Sequence, residues 1–387
     1  MSGEYGTVPA SHGTFVEFCA HCNAQVDVGR NVWAQGKRWY CRDHDQLAER
    51  DPQFIVPEAL RAARLQLAEH SSTFVRWTLP PLHDMLGFLM RGTVTYGCAL
   101  PSNGKTSFIG QQITDWDAQG LRPWIMPTES RPKGLMVRII CRRLGIPADD
   151  ALSGRLRERM DAGDLQAAED HKALERAYRT MEESAYERDA TLAIEPAPHL
   201  TRTTFRESLM AAKQWEAGIV VVDHCDHIRG DQTTGHGYQA SEAIQHDALE
   251  FANLFDLPVL MMSQLNRSKT ENDVLAIYRP PLVSWIWMPG PKEQNATTIF
   301  GLFRPMRRDV DEGLVKDIRA GRAQNYGKQI SIPHCMGVLD MKSRYAGETR
   351  DRVTYLEYVR GTLGTLPDAV RREIEGDQHG IRLSHPY

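Results

Sequence analysis

The chain has 387 residues, 41% of them hydrophobic and 25% charged, with a formal net charge of −4 at neutral pH. That balance belongs to an ordinary globular protein, which excludes a largely disordered chain and leaves room for one large α/β domain plus a small module. Nucleic-acid binding driven by overall charge is excluded as well, so any such contact has to come from local basic patches.

Met1 to Gly13 has neither the basic start nor the apolar core of a secretory signal, and no apolar run approaches the roughly 18 residues of a membrane span. A cytoplasmic chain without membrane contact is expected. Residues 1–50 read as a metal module. Cys19-x2-Cys22 and Cys41-x2-His44 have the spacing of two knuckles that offer four tetrahedral ligands to Zn²⁺. Four protein ligands leave no open coordination position, which makes the expected site structural, and a segment this short has too little core to fold without a staple. Lys37, Arg38, Trp39, Tyr40 and Arg42 place cations beside aromatics near the second knuckle. That combination suits phosphates and bases, although ribbons of this kind dock on proteins equally well. Residues 51–77 read as a linker. Within it Leu60, Ala63 and Leu67 define an amphipathic helix from Pro57 to His70, to be packed on its own domain or on a neighbouring subunit.

Val94-Thr95-Tyr96 reads as a strand. It leads into Ala99-Leu100-Pro101-Ser102-Asn103-Gly104-Lys105-Thr106 and then a helical pattern carrying Phe108, Ile109, Ile113 and Trp116. This is the arrangement of a phosphate-binding loop, with Pro101, Ser102, Asn103, Gly104, Lys105, Thr106 and Ser107 as the candidate nucleotide contacts. Successive backbone N–H groups and a helix N-terminus face the anion, Lys105 reaches the β/γ-phosphates, and the Thr106 hydroxyl ligates Mg²⁺. The expected ligand is a Mg-nucleoside triphosphate. Ala99 stands where the general pattern has its first glycine, but strand, loop and helix follow in the required order.

Three further apolar runs, Trp124–Met126, Ile219–Val222 and Val259–Met262, alternate with helical stretches. Such alternation argues for a parallel sheet covered on both faces, with ligand loops at the strand C-termini. The polar residues just past each run are therefore the candidates for chemistry. Glu129, one strand away from the loop, either deprotonates an attacking water or caps a helix. Asp223 suits the acid that holds a Mg²⁺ shell. Gln264 either places its amide near the γ-phosphate or satisfies backbone groups. His224-Cys225-Asp226-His227 reads as core or loop rather than as a metal site, because residues this close rarely converge on one ion. Cys98, Cys141, Cys225 and Cys335 sit among apolar neighbours and read as reduced core residues. Two basic stretches, Arg131–Arg143 and Arg304 through Arg307, Arg308, Lys316, Arg319, Arg322 and Lys328, are either nucleic-acid contacts or solvated helix faces. The acidic helices from Arg155 to Arg188 and the tail of 361–387 carry no readable chemistry.

From about Thr78 to Arg360 the chain resembles the RecA-fold motor domain of the DnaB-type replicative helicases. The residues that carry the resemblance are Leu82-His83-Asp84-Met85-Leu86-Gly87-Phe88-Leu89, the loop from Ala99 to Thr106, Thr128-Glu129, Val220 to Asp223, Pro258 to Arg267, Glu293-Gln294-Asn295-Ala296 and Lys342-Ser343-Arg344. The family's loop likewise begins with alanine. The resemblance implies a RecA-like P-loop NTPase core over 78–360 and a ring motor, hexameric on single-stranded or forked DNA. Lys105, Thr106 and Asp223 would bind Mg-ATP and Glu129 would act as general base. Lys342 and Arg344 would reach into the neighbouring subunit's nucleotide site. Loops near 235–240 and 267–280 would face the channel, with Arg267, Lys269 and Arg279 as DNA contacts. Asn295 and Thr297 depart from the family's usual acids, the stretch from Arg304 to Lys342 is longer than usual, and the glycine pattern after the arginine is shifted to Tyr345-Ala346-Gly347. The zinc module replaces the family's helical N-terminal domain. That architecture suggests a phage or mobile-element replication protein with its own loader or primase partner, acting in the nucleoid or in the infected host's cytoplasm. Two other readings stand beside it. One is a RadA-like recombination motor, which also joins a zinc ribbon to a RecA-type core and shares the pattern Lys342-Ser343-Arg344-Tyr345. The other is a zinc-linked ATP switch assembling on DNA or a partner.

Overall fold

The computed structural model describes residues 16–18, 25–27, 33–35, 38–40, 74–129, 132–186, 190–195, 200–230, 237–266, 278–286, 289–305, 312–320, 322, 331–332, 334–343, 352–359 and 362–367. Cys19, Cys22, Cys41, His44, the 57–70 helix, Arg267, Lys269 and Arg344 lie outside them. The chain divides into two compact units, Met1–Thr73 and Phe74–Tyr387. In the first, β1 (Val16–Phe18) pairs antiparallel with β2 (Gln25–Asp27), and β3 (Trp33–Gln35) pairs antiparallel with β4 (Arg38–Tyr40).

The second unit opens with β5 (Val75–Arg76), α1 (Pro80–Leu86) and β6 (Phe88–Leu89), the two strands forming a small antiparallel pair. Then come β7 (Val94–Ala99), α2 (Lys105–Ala118), β8 (Pro123–Pro127), α3 (Pro132–Leu144), α4 (Ala148–Ser153), α5 (Arg155–Asp161), α6 (Leu165–Tyr186) and β9 (Ala193–Ile194). The chain continues through α7 (Arg202–Gln214), β10 (Ile219–Asp223), α8 (Tyr238–Phe255), β11 (Val259–Gln264), α9 (Pro289–Asn295), β12 (Ala296–Phe303) and α10 (Glu312–Arg319), and ends in β13 (Cys335–Ser343), β14 (Val353–Val359) and β15 (Thr362–Thr365). The sheet of this unit runs β15-β14-β13-β12-β7-β11-β10-β8-β9. Pairing is parallel from β12 across to β9 and antiparallel through β13, β14 and β15.

The expected α/β class and its parallel strands are therefore present, and the reason is legible residue by residue. Val220, Val222, Val259 and Met261 join a core with Phe205 and Leu209 of α7 and Ile244, Ala248 and Phe251 of α8. The intervening Ile219, Val221, Leu260 and Met262 join the opposite core with Phe108, Ile109, Ile113 and Trp116 of α2 and Leu135 and Ile139 of α3. Side chains alternate across a strand, so a run with both faces covered has to be apolar throughout. Gly97 in β7 leaves room for its neighbours: a Cβ there would lie 2.5 Å from Met262 Sδ and from the Phe300 ring. Trp116 anchors the second core. It is fully buried, its indole N–H donates to the Arg76 carbonyl at 2.7 Å, and Trp77 lies beside it at 6.0 Å between ring centroids. Trp116→Ala is expected to cost roughly 3–5 kcal/mol, the range for deleting a large buried aromatic, measured by urea unfolding.

Two sequence expectations are corrected here. The second strand is not next to the loop strand, because β11 and β10 stand between β7 and β8. Tyr238 to Ala240 are not loop but the first turn of α8. In the basic stretch around α3, Arg143 pairs with Asp117, Arg138 lies 3.4 Å from Asp149, and burial pushes Arg142 down to about 10 against the opposing pull of Tyr358 and Asp115. The acidic helices have a place as well. Leu156, Ala167 and Leu174 of α5 and α6 pack on Ile140, Cys141 and Ile146, so these helices form a satellite core against α3. Cys98, Cys141, Cys225 and Cys335 are all free and buried, as expected.

Candidate nucleotide site

The loop after β7 lies where β12 and β11 flank its strand, at the carboxyl edge of the parallel sheet, which is where open α/β sheets bind ligands. Ser102 (φ 65°) and Gly104 (φ 83°) both take left-handed backbone conformations, the second as the cap of α2. A Cβ on Gly104 would also lie 2.5 Å from Met336 Cε, so both conformation and space call for glycine. Pro101, Thr106 and Ser107 are half-buried, Ser102 is exposed, and Asn103 is buried, with its Nδ2 donating to the Leu302 carbonyl at 3.4 Å.

Lys105 is buried at the first position of α2, and its ammonium donates to the Ala99 carbonyl at 3.4 Å. Burial lowers its pKa, and the nearby carboxylates of Glu129, Asp223 and Asp226 pull it back upward. Asp223 ends β10, fully buried. Burial pushes its carboxyl up to about 6, against the lowering effect of His224 and Lys105. Among the described residues neither of its oxygens has a well-formed hydrogen bond, with Thr106 beside them. A buried acid that is short of donors, next to a hydroxyl at a helix N-terminus, fits a divalent cation such as Mg²⁺.

The direction of the Asp223 shift has a measurable consequence. Its folded pKa lies above the ordinary value of 3.8, so the native state binds the extra proton. Its contribution to stability is complete below about pH 4 and is lost as pH rises through about 6, a displacement worth roughly 3 kcal/mol. Asp223→Asn, which mimics the protonated form, is therefore expected to raise the melting temperature of ligand-free protein at pH 7.5. The gain should vanish below about pH 4, and the stabilisation given by Mg-nucleotide should vanish with the carboxylate.

Glu129 follows β8, and its N–H donates to the Asp223 carbonyl at 3.3 Å. Thr128 is tied to the same turn twice, its N–H to the Asp223 carbonyl and its hydroxyl to the His224 carbonyl, both at 2.6 Å. The Glu129 side chain is half-exposed, with Oε2 at 3.2 Å from His224 Nε2. Gln264, at the end of β11, sits in register beside Ala99. The topology thus brings Lys105, Thr106, Asp223, Glu129 and Gln264 to one edge although β8 is three strands from β7. Lys342, at the end of β13, donates to the Glu293 carbonyl, and Arg279 is exposed. A cleft beside the loop is lined by Thr106, Ser107, Arg138, Arg142 and Thr362, and the Ser107 hydroxyl lies 3.0 Å from that of Tyr358.

Two residues of the site carry no role in the sequence reading, Asp226 and Lys292. Asp226 sits in the tetrapeptide assigned to core or loop, and Lys292 precedes Glu293 in α9, yet the two form a buried ion pair behind the site. The one available signal is that Lys292 directly follows an apolar run, Ile286-Trp287-Met288-Pro289-Gly290-Pro291. The tetrapeptide belongs to no metal-holding group among the described residues.

Residues 75–330 match the family model described as the DnaB-like helicase C-terminal domain. No curated protein matches the chain. Among solved structures, one reported as a DnaB-like replicative helicase and its interactions with primase is 19% identical with a TM-score of 0.59. The match covers 80% of this chain and 66% of that one, so this chain spans about two thirds of that helicase's length. A second structure, reported as an ATPase domain, gives the same identity and TM-score, over 81% of this chain and 99% of its own. A RadB recombinase matches at 12% identity and a TM-score of 0.43, over 76% of this chain and all of its own.

Proposed function

The chain belongs to the DnaB-like helicase C-terminal domain family, and from that premise we propose that it hydrolyses Mg-ATP at the head of its parallel sheet and spends the turnover on moving along single-stranded DNA as a ring of identical subunits. One observation carries this reading: Lys105, Thr106, Asp223 and Glu129, distant in sequence, meet at one sheet edge around a buried charge imbalance.

Each residue has a distinct task. The loop N–H groups and Lys105 take the β- and γ-phosphates. Thr106 and Asp223 hold Mg²⁺, which supplies charge stabilisation to the phosphoryl oxygens. Glu129 accepts a proton from water as its oxygen bonds to the γ-phosphorus and the bond to the β-phosphate oxygen breaks, leaving ADP and phosphate. Gln264, beside Ala99, presents its amide to the γ-phosphate. The cleft lined by Ser107, Arg138 and Thr362 takes the nucleoside end. Lys342 and Arg344 stabilise the same charge from the neighbouring subunit, which makes the complete site a property of the assembly. Arg267, Lys269 and Arg279 contact the DNA backbone.

For residues 1–50 the proposal is a structural zinc site on Cys19, Cys22, Cys41 and His44. Support comes from the strands around them: Cys19 and Cys22 fall between the paired β1 and β2, and Cys41 follows directly on β4. The module would dock on DNA, a loader or a primase.

The deciding experiment is ATP-dependent strand separation on a forked DNA with a 5′ tail, with Lys105→Ala as control. Unwinding that disappears in the control supports the helicase. Hydrolysis stimulated by DNA without unwinding points to a recombination-type motor, and absence of hydrolysis leaves an ATP switch.

A further inference from the structure

Behind the candidate nucleotide site lies a buried charged cluster whose hub is Asp226, in the single turn Cys225–His227 that follows β10. Its carboxylate is 9% exposed and Lys292 is 0% exposed. Oδ1 accepts from the Lys292 ammonium. Oδ2 accepts from the Gln264 backbone N–H at 2.6 Å and the Ser263 hydroxyl at 2.9 Å, and lies 3.6 Å from His224 Nδ1. Lys292 also donates to Ser263 Oγ at 2.8 Å. His224 is itself buried, and its second ring nitrogen is the one that lies 3.2 Å from Glu129 Oε2. One carboxylate is thus hydrogen-bonded directly to the strand end that carries Gln264, and it flanks one side of an imidazole whose other side faces Glu129, at 3.6 Å and 3.2 Å, without a well-formed hydrogen bond to either ring nitrogen among the described residues.

Burial alone would raise the Asp226 carboxyl, but the Lys292 ammonium, the adjacent His224 ring and hydrogen bonds from Lys292 and Gln264 hold it well below the usual carboxylate range. It is an anion at neutral pH. A buried ion pair recovers little net stability after desolvation, so stability is a poor reason for one here. What this pair does supply is fixed geometry at two groups that act on the γ-phosphate. Glu129 is half-exposed and its side chain needs a tether to hold one rotamer.

We propose that Asp226, clamped by Lys292, is a positioning residue for ATP hydrolysis, setting the Gln264 backbone directly and the Glu129 carboxylate through His224. This rests on the ATPase reading above. It adds that the candidate base and the candidate γ-phosphate reader are aligned from a single point.

The test uses the full chain in two variants. Asp226→Asn/Lys292→Met removes both charges together, so neither is left buried and unpaired. His224→Phe keeps a ring and removes the two nitrogens that face Glu129 and Asp226. Each is compared with wild type for kcat, KM, ADP affinity and affinity for ADP with aluminium fluoride, with circular dichroism and melting temperature as the fold check. The expected result is a kcat lowered roughly tenfold to a hundredfold, an equal loss of affinity for the fluoroaluminate complex, and KM and ADP affinity within about twofold. His224→Gln, which keeps a donor, should recover part of the loss. Should the double variant fail to fold, His224→Phe carries the test. Wild-type kcat in the folded variants overturns the proposal, and so does a loss of ADP affinity in step with kcat, since that would mark a merely structural role. Wild-type protein whose hydrolysis does not depend on Lys105 would instead overturn the ATPase reading, and this proposal with it.

Discussion

On the proposed ATPase reading, Lys105→Ala is expected to abolish ATP turnover, with kcat/KM falling by roughly 10³-fold or more. The size of the effect follows from how the ammonium is held in the ligand-free chain. It is 7% exposed, and burial lowers its pKa. Against that, Glu129, Asp223 and Asp226 surround it with negative charge, and its acceptor among the described residues is the Ala99 carbonyl at 3.4 Å. A buried cation with one long hydrogen bond has donor capacity left over at the position where the β/γ-phosphates would lie. Removing it takes away a buried positive charge for those phosphates and also leaves Asp223 without one of the three groups, His224, Lys105 and Thr106, that hold its carboxyl down. Phosphate release should therefore cease, and a fluorescent ATP analogue should bind much more weakly. Lys105→Met, which keeps most of the side chain's volume, should give the same result and separates lost charge from lost packing. Turnover at the wild-type rate in either variant would sink the assignment of this loop.

The parts of the fold that the sequence reveals are those in which local chemistry and tertiary position agree. Ile219–Val222 and Val259–Met262 announce buried strands because both faces of the sheet are covered, so every residue in them is apolar. The loop is legible because left-handed backbone at Gly104 and a lysine starting the next helix leave a fixed trace in the chain. Sheet order leaves no such trace. The chain passes from β7 to β8 in sequence, yet β11 and β10 are inserted between them later, so the distance between Glu129 and the loop could not be read from strand succession.

Partnerships across long separations are hidden for the same reason. Asp226 and Lys292 are 66 residues apart, and neither belongs to a pattern that requires the other. The arginines of α3 look like a basic surface when read alone. Once α2 and α4 are in place they are partners of Asp117 and Asp149. The acidic helices that follow show their helical period plainly, but the face they cover becomes visible only when Leu156 and Leu174 are seen against Ile140 and Ile146.

Glu129→Gln should retain ATP binding and lose hydrolysis, with kcat expected to fall roughly 10²- to 10⁴-fold. The substitution is nearly isosteric and leaves the backbone anchors of this turn untouched, since they run from Glu129 N–H and Thr128 N–H to the Asp223 carbonyl. What it removes is the lone pair that accepts the water proton, together with one negative charge. That charge now raises the Asp223 carboxyl and supports the Lys105 ammonium. Its loss relieves repulsion toward an incoming triphosphate, so ATP affinity should hold or improve while chemistry stops. The pairing of retained binding with lost turnover is what separates a base from a group that holds substrate, because a binding residue would move KM first. It also separates Glu129 from Lys105, whose replacement removes both. If Glu129→Gln hydrolyses ATP at the wild-type rate, the proton acceptor is another group, and the His224 contact at 3.2 Å then orients a residue that the reaction does not use.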